Sequence, residues 1–131
     1  MKVVALDYGS ARTGVAISDP TGTIARPLGV VERAATEDGL AQVARIVRDE
    51  GAERVVVGLP LTLRGEHGAQ ARETEAFVEA LRAAIDVPVE SYDERFTTGL
   101  AASVGSDEAP EDARAAAHLL SSWLEWQSVR R

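Results

Sequence analysis

The chain has 131 residues, of which 45% are hydrophobic and 27% charged, and its formal net charge is −7 at pH 7. This length and composition are those of one globular domain, and no apolar run approaches the roughly 20 residues that a membrane-spanning helix needs. The acidic balance argues against broad, sequence-independent binding of a polyanion, because phosphates are contacted mainly by Lys and Arg.

Cysteine is absent from the chain, and its first residues read MKVVALDYG. The lack of Cys excludes disulfides, thiolate zinc sites and a thiol nucleophile, and it suits a reducing compartment. The apolar run before Asp7 is too short for the hydrophobic region of a signal peptide. We therefore predict a cytoplasmic protein in which any metal ion is held by oxygen or imidazole ligands.

The first part of the chain is predicted to form an antiparallel meander of three strands. Residues 2–6 and 14–18 are short β-prone runs joined by YGSART, and a third run covers residues 24–31 after a DPTG turn. From Thr36 onward, apolar residues follow helical spacing, and Gly51 is typical of a helix end. One amphipathic helix is therefore expected after the meander.

The rest of the chain alternates strands and helices. The segment ERVVVGLP is typical of a short buried strand that ends at its Gly and Pro, because proline cannot donate to a central ladder. A loop, LTLRGEHG, and a helix around Phe77 follow, and VPVESYDER is predicted to be the fifth strand. Thr97 or Thr98 could cap a short helix ending near Gly105, and the last helix is predicted to start near Pro110.

This order of elements predicts an α/β fold. A three-stranded antiparallel meander followed by parallel crossover units gives a mixed five-stranded sheet with helices on both faces. The sequence shows no repeat, low-complexity tract or long linker. Residues 1–131 are therefore assigned to a single domain.

Carboxylates occupy positions where a charge is costly. Asp7 closes an apolar strand that should be central, and Asp93 and Glu94 close the fifth strand in the same way. On a helix with about 100° per residue, Asp112 shares the apolar face of Leu119 that is expected to dock on the sheet. Each position thus aims an acid at the edge of the predicted core.

Each acid alone also has an ordinary structural explanation. Asp7 could form a turn by accepting backbone N–H groups of the next loop, and Asp112 could simply favour the helix N-terminus. If the strand ends and the helix start meet at one edge, however, Asp7, Glu94 and Asp112 come together. Carboxylates so close repel one another unless cations intervene. Such a cluster predicts a metal site.

Oxygen ligands without cysteine suit Mg²⁺ or Mn²⁺, which bind through a few carboxylates, water and substrate phosphate. Two such ions held roughly 4 Å apart can activate a water and stabilise the leaving oxygen of a phosphodiester. Arginines are found beside these motifs and allow a local basic rim in an acidic protein. They are Arg12, Arg26, Arg64, Arg72 and Arg95.

The blocks DYGSARTGVAISD, VVGLPLTLRGE, YDERFTT and EDARAAAHLL together resemble the signature blocks of the YqgF (RuvX) family, in the same order and over nearly the whole chain. The resemblance implies an RNase H-like fold related to that of the Holliday junction resolvase RuvC. It also implies a nuclease that matures the 5′ end of pre-16S ribosomal RNA or resolves Holliday junctions.

Carried over by position, the resemblance makes Asp7, Glu94 and Asp112 the metal-binding, catalytic acids. Adjacent strand residues face opposite sides, so Glu94 rather than Asp93 is expected to point into the site. Arg95 would steady the acid cluster or contact substrate.

The resemblance also implies a set of groups that meet the substrate phosphates. Gly9 and Gly14 would let the backbone approach a phosphate, and Ser10 keeps the hydroxyl of the threonine that is commoner in the family. His67 is interpreted as a solvated loop residue, although it could touch substrate. The predicted phosphate contacts are Arg12, Arg64, Arg72 and Arg95.

One segment departs from the family. Before the last helix, SVGSDEAPED is short and acidic, whereas family members usually carry a longer, lysine-rich stretch. This difference weakens the expected nucleic-acid contact on that side. Further along, Trp123 and Trp126 form an aromatic stripe that is typical of a core or a homodimer contact rather than a base-stacking platform.

The favoured hypothesis is therefore a nuclease that uses Mg²⁺ or Mn²⁺ and acts on structured RNA or branched DNA. A second hypothesis is an actin-like nucleotide-binding protein, whose first hairpin also reads Asp-x-Gly-Ser/Thr, but such proteins enclose ATP between two domains of this kind. A third is a non-catalytic ribosome-assembly or interaction module, which the presence of all three acids disfavours.

Overall fold

The computed structural model describes residues 1–62, 64–96 and 109–130. A short 3-10 turn, Glu94–Phe96, follows the last strand of this part of the chain. The strands and α-helices of the described residues are β1 (Val3–Asp7), β2 (Arg12–Ser18), β3 (Ala25–Glu32), α1 (Glu37–Asp49), β4 (Arg54–Leu59), α2 (Ala69–Ala84), β5 (Val89–Asp93) and α3 (Glu111–Arg130). The short helix predicted at residues 97–105, and most of the acidic segment before α3, lie outside the described residues.

The strands form one mixed sheet in the order β3-β2-β1-β4-β5. The pairs β1–β2 and β2–β3 are antiparallel, whereas β1–β4 and β4–β5 are parallel. β1 is central because its apolar residues are buried on both faces, as expected for a strand that lies between two layers of helices. The predicted meander followed by parallel crossovers is thus confirmed.

Alternate residues of β1 face opposite helical layers. Val4 and Leu6 belong to the core that includes residues of α1 and α2, whereas Val3 and Ala5 pack with α3 on the other face. Because side chains alternate along a strand, Asp7 continues the face that α3 covers. The alternation of side chains along β1 therefore determines on which face of the sheet the Asp7 carboxylate lies.

Helix α1 begins and ends where its sequence predicts. The Thr36 hydroxyl accepts the N–H of Gly39 at 3.1 Å and so caps the first turn. Gly51 has a φ of +67°, the left-handed conformation that commonly follows the end of a helix.

Among the described residues, no helix is long and apolar enough to cross a membrane.

Strand β5 is shorter than predicted. The Asp93 carboxylate accepts the backbone N–H of Arg95 at 2.9 Å, and this turn takes the chain out of the sheet. Glu94 therefore starts the 3-10 turn, so the prediction that Glu94 and Arg95 belong to the strand is wrong. The change matters for the site, because a residue just past the strand can reach back across the sheet.

Candidate metal centre

Asp7 lies between two glycines on the sheet face that α3 covers. In β2 its partner is Gly14. On the other side, Leu6 pairs with Val57, which places Gly58 beside Asp7. Neither neighbour has a side chain that could cover the carboxylate, so the sheet leaves open space on both sides of Asp7.

Glu94 fills the space above Gly58. A Cβ atom at Gly58 would lie 2.5 Å from Glu94 Oε1 and 3.0 Å from its Cγ. From there the Glu94 carboxyl group forms a hydrogen bond with that of Asp7. The side chain thus crosses β4 to bring two acids from separate strand ends together.

Asp112 reaches the same edge through the packing of α3 on β2. A Cβ at Gly14 would lie 1.8 Å from the backbone oxygen of Asp112, so the first turn of α3 rests directly on that glycine. The space beside Gly14 is therefore filled by the helix, which corrects the prediction that Gly14 opens the backbone to a phosphate. At Gly9 the corresponding Cβ would lie 2.5 Å from the carbonyl oxygen of Arg12 in the β1–β2 turn.

The paired carboxyl groups repel one another and are poorly solvated. Burial raises the pKa of Asp7, and the nearby Asp112 charge raises it further, against the lowering effect of the hydrogen bond with Glu94. Burial, and then the charge of Asp7, raises the pKa of Glu94 to about 7. Near neutral pH, Asp7 and Glu94 therefore share a proton that a cation could replace.

Asp112 takes part in this field but is held by another group. Its Oδ2 lies 3.2 Å from Nε of Arg12, whose side chain is largely exposed. Within residues 1–62, 64–96 and 109–130, no three acids or histidines are placed so that they could hold one ion together. The structure thus joins Asp7 to Glu94 and keeps Asp112 nearby in an ion pair with Arg12.

Arg95 forms an ion pair with Asp93 at the end of β5. Its Nε lies 2.9 Å from Asp93 Oδ2, its Nη2 lies 2.5 Å from the same atom, and these bonds lower the pKa of Asp93. Beside the pair, Gly65 has a φ of +80°, and a Cβ there would lie 3.3 Å from Arg95 Nη1. Arg95 therefore lies between the strand end and the loop after β4.

The other predicted substrate contacts are exposed. Ser10 lies in the β1–β2 turn, Arg64 is next to Gly65, and Arg72 lies in the first half of α2. Arg26 is at the opposite end of the sheet, where it pairs with Ile17. Arg26 therefore does not belong to a basic rim around the acid pair, although it was grouped with the other arginines in the sequence.

The interaction of Tyr8 with Glu73 was not predicted from the sequence. The Tyr8 hydroxyl donates to Glu73 Oε1 at 3.2 Å, and its ring stacks on Phe77 with centroids 4.5 Å apart. This contact brings the start of α2 to the end of β1. Gly58 was also missed as part of the site, because it was interpreted only as the end of a strand.

The remaining predictions for side chains have mixed outcomes. His67 is exposed and pairs with Glu75, in line with a solvated loop residue. Trp123 belongs to the core, where it is 2% exposed, whereas Trp126 is 39% exposed and its ring lies 5.8 Å from that of Tyr92.

Comparison with known proteins supports the family predicted from the motifs of this chain. A profile of the RuvX family, described as Holliday junction resolvase, matches residues 1–126. A relative from Chloroflexus aggregans is 51% identical over 96 residues, which cover 73% of this chain and 68% of the relative. A relative from Anaeromyxobacter sp. is 42% identical over 95% of this chain and 97% of its own length. Both carry the name "Putative pre-16S rRNA nuclease".

The fold is also similar to that of a solved resolvase. The RuvC of Thermus thermophilus, in complex with a Holliday junction substrate, superposes with a TM-score of 0.69 at 17% identity and covers 98% of this chain and 96% of its own. At that identity the likeness concerns the fold, and it confirms the predicted RNase H-like architecture.

Proposed function

Since the chain belongs to the RuvX family, we propose that it is a metal-dependent nuclease that hydrolyses phosphodiester bonds in structured RNA or branched DNA. The observation that carries the proposal is the hydrogen-bonded pair of Asp7 and Glu94, with the Asp112 charge close enough to raise the pKa of Asp7. Two buried carboxylates held this close are costly to keep ionised together unless a cation binds there.

The ligand chemistry of the site fits Mg²⁺ or Mn²⁺. Its donors are carboxylate oxygens, and their mutual repulsion is of the kind that a divalent ion relieves. We propose that Asp7 and Glu94 hold the ion or ions and that Asp112 completes the set when it leaves Arg12. Bound in a pair, such ions supply the positive charge that activates water and stabilises the leaving oxygen of a phosphodiester.

The role of Arg12 follows from its ion pair. If Asp112 were to bind a cation, the Arg12 guanidinium would lose its carboxylate partner and would become available to a phosphate, for which its planar fork of donors is well suited. The exposed Arg64 and Arg72 would add contacts further along the strand. A few such contacts around one edge are compatible with a net charge of −7.

Two substrates follow from the relatives. The family profile points to a four-way DNA junction, and the curated relatives point to the precursor of 16S ribosomal RNA. The deciding assay incubates the purified protein with each substrate in Mg²⁺, in Mn²⁺ and in EDTA. We expect cleavage of at least one substrate with a divalent ion and none in EDTA.

Asp7→Asn provides the control within the same assay. This substitution keeps the shape of the side chain and removes its charge, so it should reduce cleavage by orders of magnitude while the melting temperature is retained. Full activity in purified Asp7→Asn would eliminate the proposal. If neither substrate is cut and Mn²⁺ does not bind, the non-catalytic assembly module is the better description.

A further inference from the structure

Gly58 is next to the acid pair without belonging to it. It lies in β4 beneath the Glu94 side chain, with Asp7 of β1 on one side and Tyr92 of β5 on the other. On the basis of the nuclease function proposed above, we propose that Gly58 is a positioning residue: its missing side chain is what lets the Glu94 carboxylate reach Asp7.

The distances support this assignment. A Cβ at Gly58 would lie 2.5 Å from Glu94 Oε1, 3.0 Å from Cγ and 3.1 Å from Cδ, and real Cβ atoms essentially never approach another atom within 3.0 Å. An alanine would therefore displace the carboxyl end of Glu94, which is the part of the side chain that meets Asp7.

Gly58 is required for a different reason from Gly14. At Gly14 the atoms in the way belong to the backbone at the start of α3, so a side chain there would push a whole helix away. At Gly58 the obstructed atoms are the far end of a flexible side chain, which can rotate aside. Gly58→Ala should therefore leave the fold intact and change the geometry of the acid pair.

Backbone conformation does not explain the glycine. The positive-φ glycines among the described residues are Gly22, Gly51 and Gly65, so Gly58 has a conformation that alanine can adopt. Gly29 in β3 is a matched control, because it is also a strand glycine and a Cβ there meets nothing within 4 Å. The two substitutions make the same chemical change and differ in what the new methyl group meets.

Calorimetric titration of Mn²⁺ into the metal-free protein tests the proposal without relying on cleavage. We expect Gly58→Ala to weaken Mn²⁺ binding by about tenfold or more, the usual effect of disturbing a group that orients a ligand. Gly29→Ala should bind as the wild type does, and the two variants should have similar melting temperatures without metal. Unchanged Mn²⁺ affinity in Gly58→Ala would overturn the assignment.

A second background separates positioning from a general structural effect. Glu94→Asp withdraws the carboxylate from the space above residue 58, so adding Gly58→Ala there should cost much less affinity than it does in the wild type. An equal loss in both backgrounds would contradict the assignment. If the wild type itself binds no Mn²⁺, the proposed function fails; if it binds and Asp7→Asn does not, the effects of Gly58→Ala in the two backgrounds decide this inference.

Discussion

Carboxylates end the strands of this sheet in two opposite kinds of surroundings. Asp19, just after β2, accepts the backbone N–H groups of Thr23 and Ile24 at 2.7 and 2.8 Å, and these bonds hold its pKa well below the usual range. At the other end of the sheet, Asp7 meets the carboxyl group of Glu94, and burial raises the pKa of both.

The contrast separates the acids of the proposed metal site from acids that organise a turn. An aspartate after a strand is ordinary, because its side chain can organise the following turn, as Asp19 and Asp93 do here. Asp7 instead has a second acid as its hydrogen-bond partner and a third nearby. What sets Asp7 apart from Asp19 and Asp93 is therefore its neighbours, which are acids rather than the backbone N–H groups of a turn.

Substitutions of Glu94 and of Asp19, at the two ends of the sheet, should differ most in their effect on the cleavage rate. Glu94→Gln removes a charge from the acid pair and should lower the cleavage rate by about 10³-fold, an effect similar to removing a key electrostatic group from an active site. Asp19→Asn should cleave at the wild-type rate, because its turn is at the opposite end of β1. Comparable losses in both variants would show that the contrast is not functional.

The pH dependence of metal binding should be the next largest effect. The pKa of Glu94 is raised to about 7, so below that pH an ion must displace the shared proton. Mn²⁺ affinity, measured by calorimetry, should therefore fall by up to about tenfold for each pH unit below about 7.

Glu94→Gln is the control for that titration. Glutamine cannot take up the proton, so the remaining affinity of this variant should change much less across the same pH range. A wild-type affinity that stays constant between about pH 5.5 and about pH 7 would contradict a proton shared by Asp7 and Glu94.

The stability of the metal-free protein should also depend on pH, with opposite signs at the two ends. The folded protein holds the Glu94 proton up to about pH 7, whereas the unfolded chain releases it near 4.5. The free energy of unfolding should therefore fall as pH rises through this window, by about 1–2 kcal/mol after allowance for partial exposure of the group. Urea denaturation of wild type and Glu94→Gln in EDTA measures the difference.

Asp19 gives the reverse dependence. Its pKa is lowered in the folded protein, so its contribution is complete above the unfolded value of 3.8 and is lost as pH falls below it. In the same denaturation series, the Asp19→Asn variant should be less stable than the wild type mainly at pH values above 3.8. A variant whose deficit grew on acidification instead would show that the loop N–H groups do not stabilise the charged form.

Much of the fold could be predicted from the sequence because its signals are local. The alternation of apolar residues located the strands, and Gly51 located the end of α1. Glu94 was assigned to β5 because the turn made by Asp93 depends on a single side-chain hydrogen bond. The acid pair was expected from topology, but the reason it can form, the open space over Gly58, depends on packing between strands that are distant in the sequence.

The partners of the charged groups were also hidden from the sequence. Arg12 and Asp112 are far apart along the chain and meet only because α3 lies on Gly14. Arg95 was expected to steady the acid cluster or contact substrate, and its ion pair with Asp93, two residues before it, was not predicted. Ion pairs depend on rotamers and on the course of each loop, which no periodic pattern encodes.

The smallest predicted effect concerns Glu90, on the same face of β5 as Tyr92. Two donors contact it: Arg54 Nη1 lies 3.2 Å from its Oε2, and Trp123 Nε1 donates to its Oε1 at 2.5 Å. Arg54→Gln should lower the free energy of unfolding by only about 0.5 kcal/mol, because the ion pair is partly exposed and the Trp123 hydrogen bond remains. Mn²⁺ affinity should be unchanged. A clear loss of affinity in Arg54→Gln would mean that Glu90 and Glu94 are coupled, so that the donors around Glu90 also shape the proposed metal site.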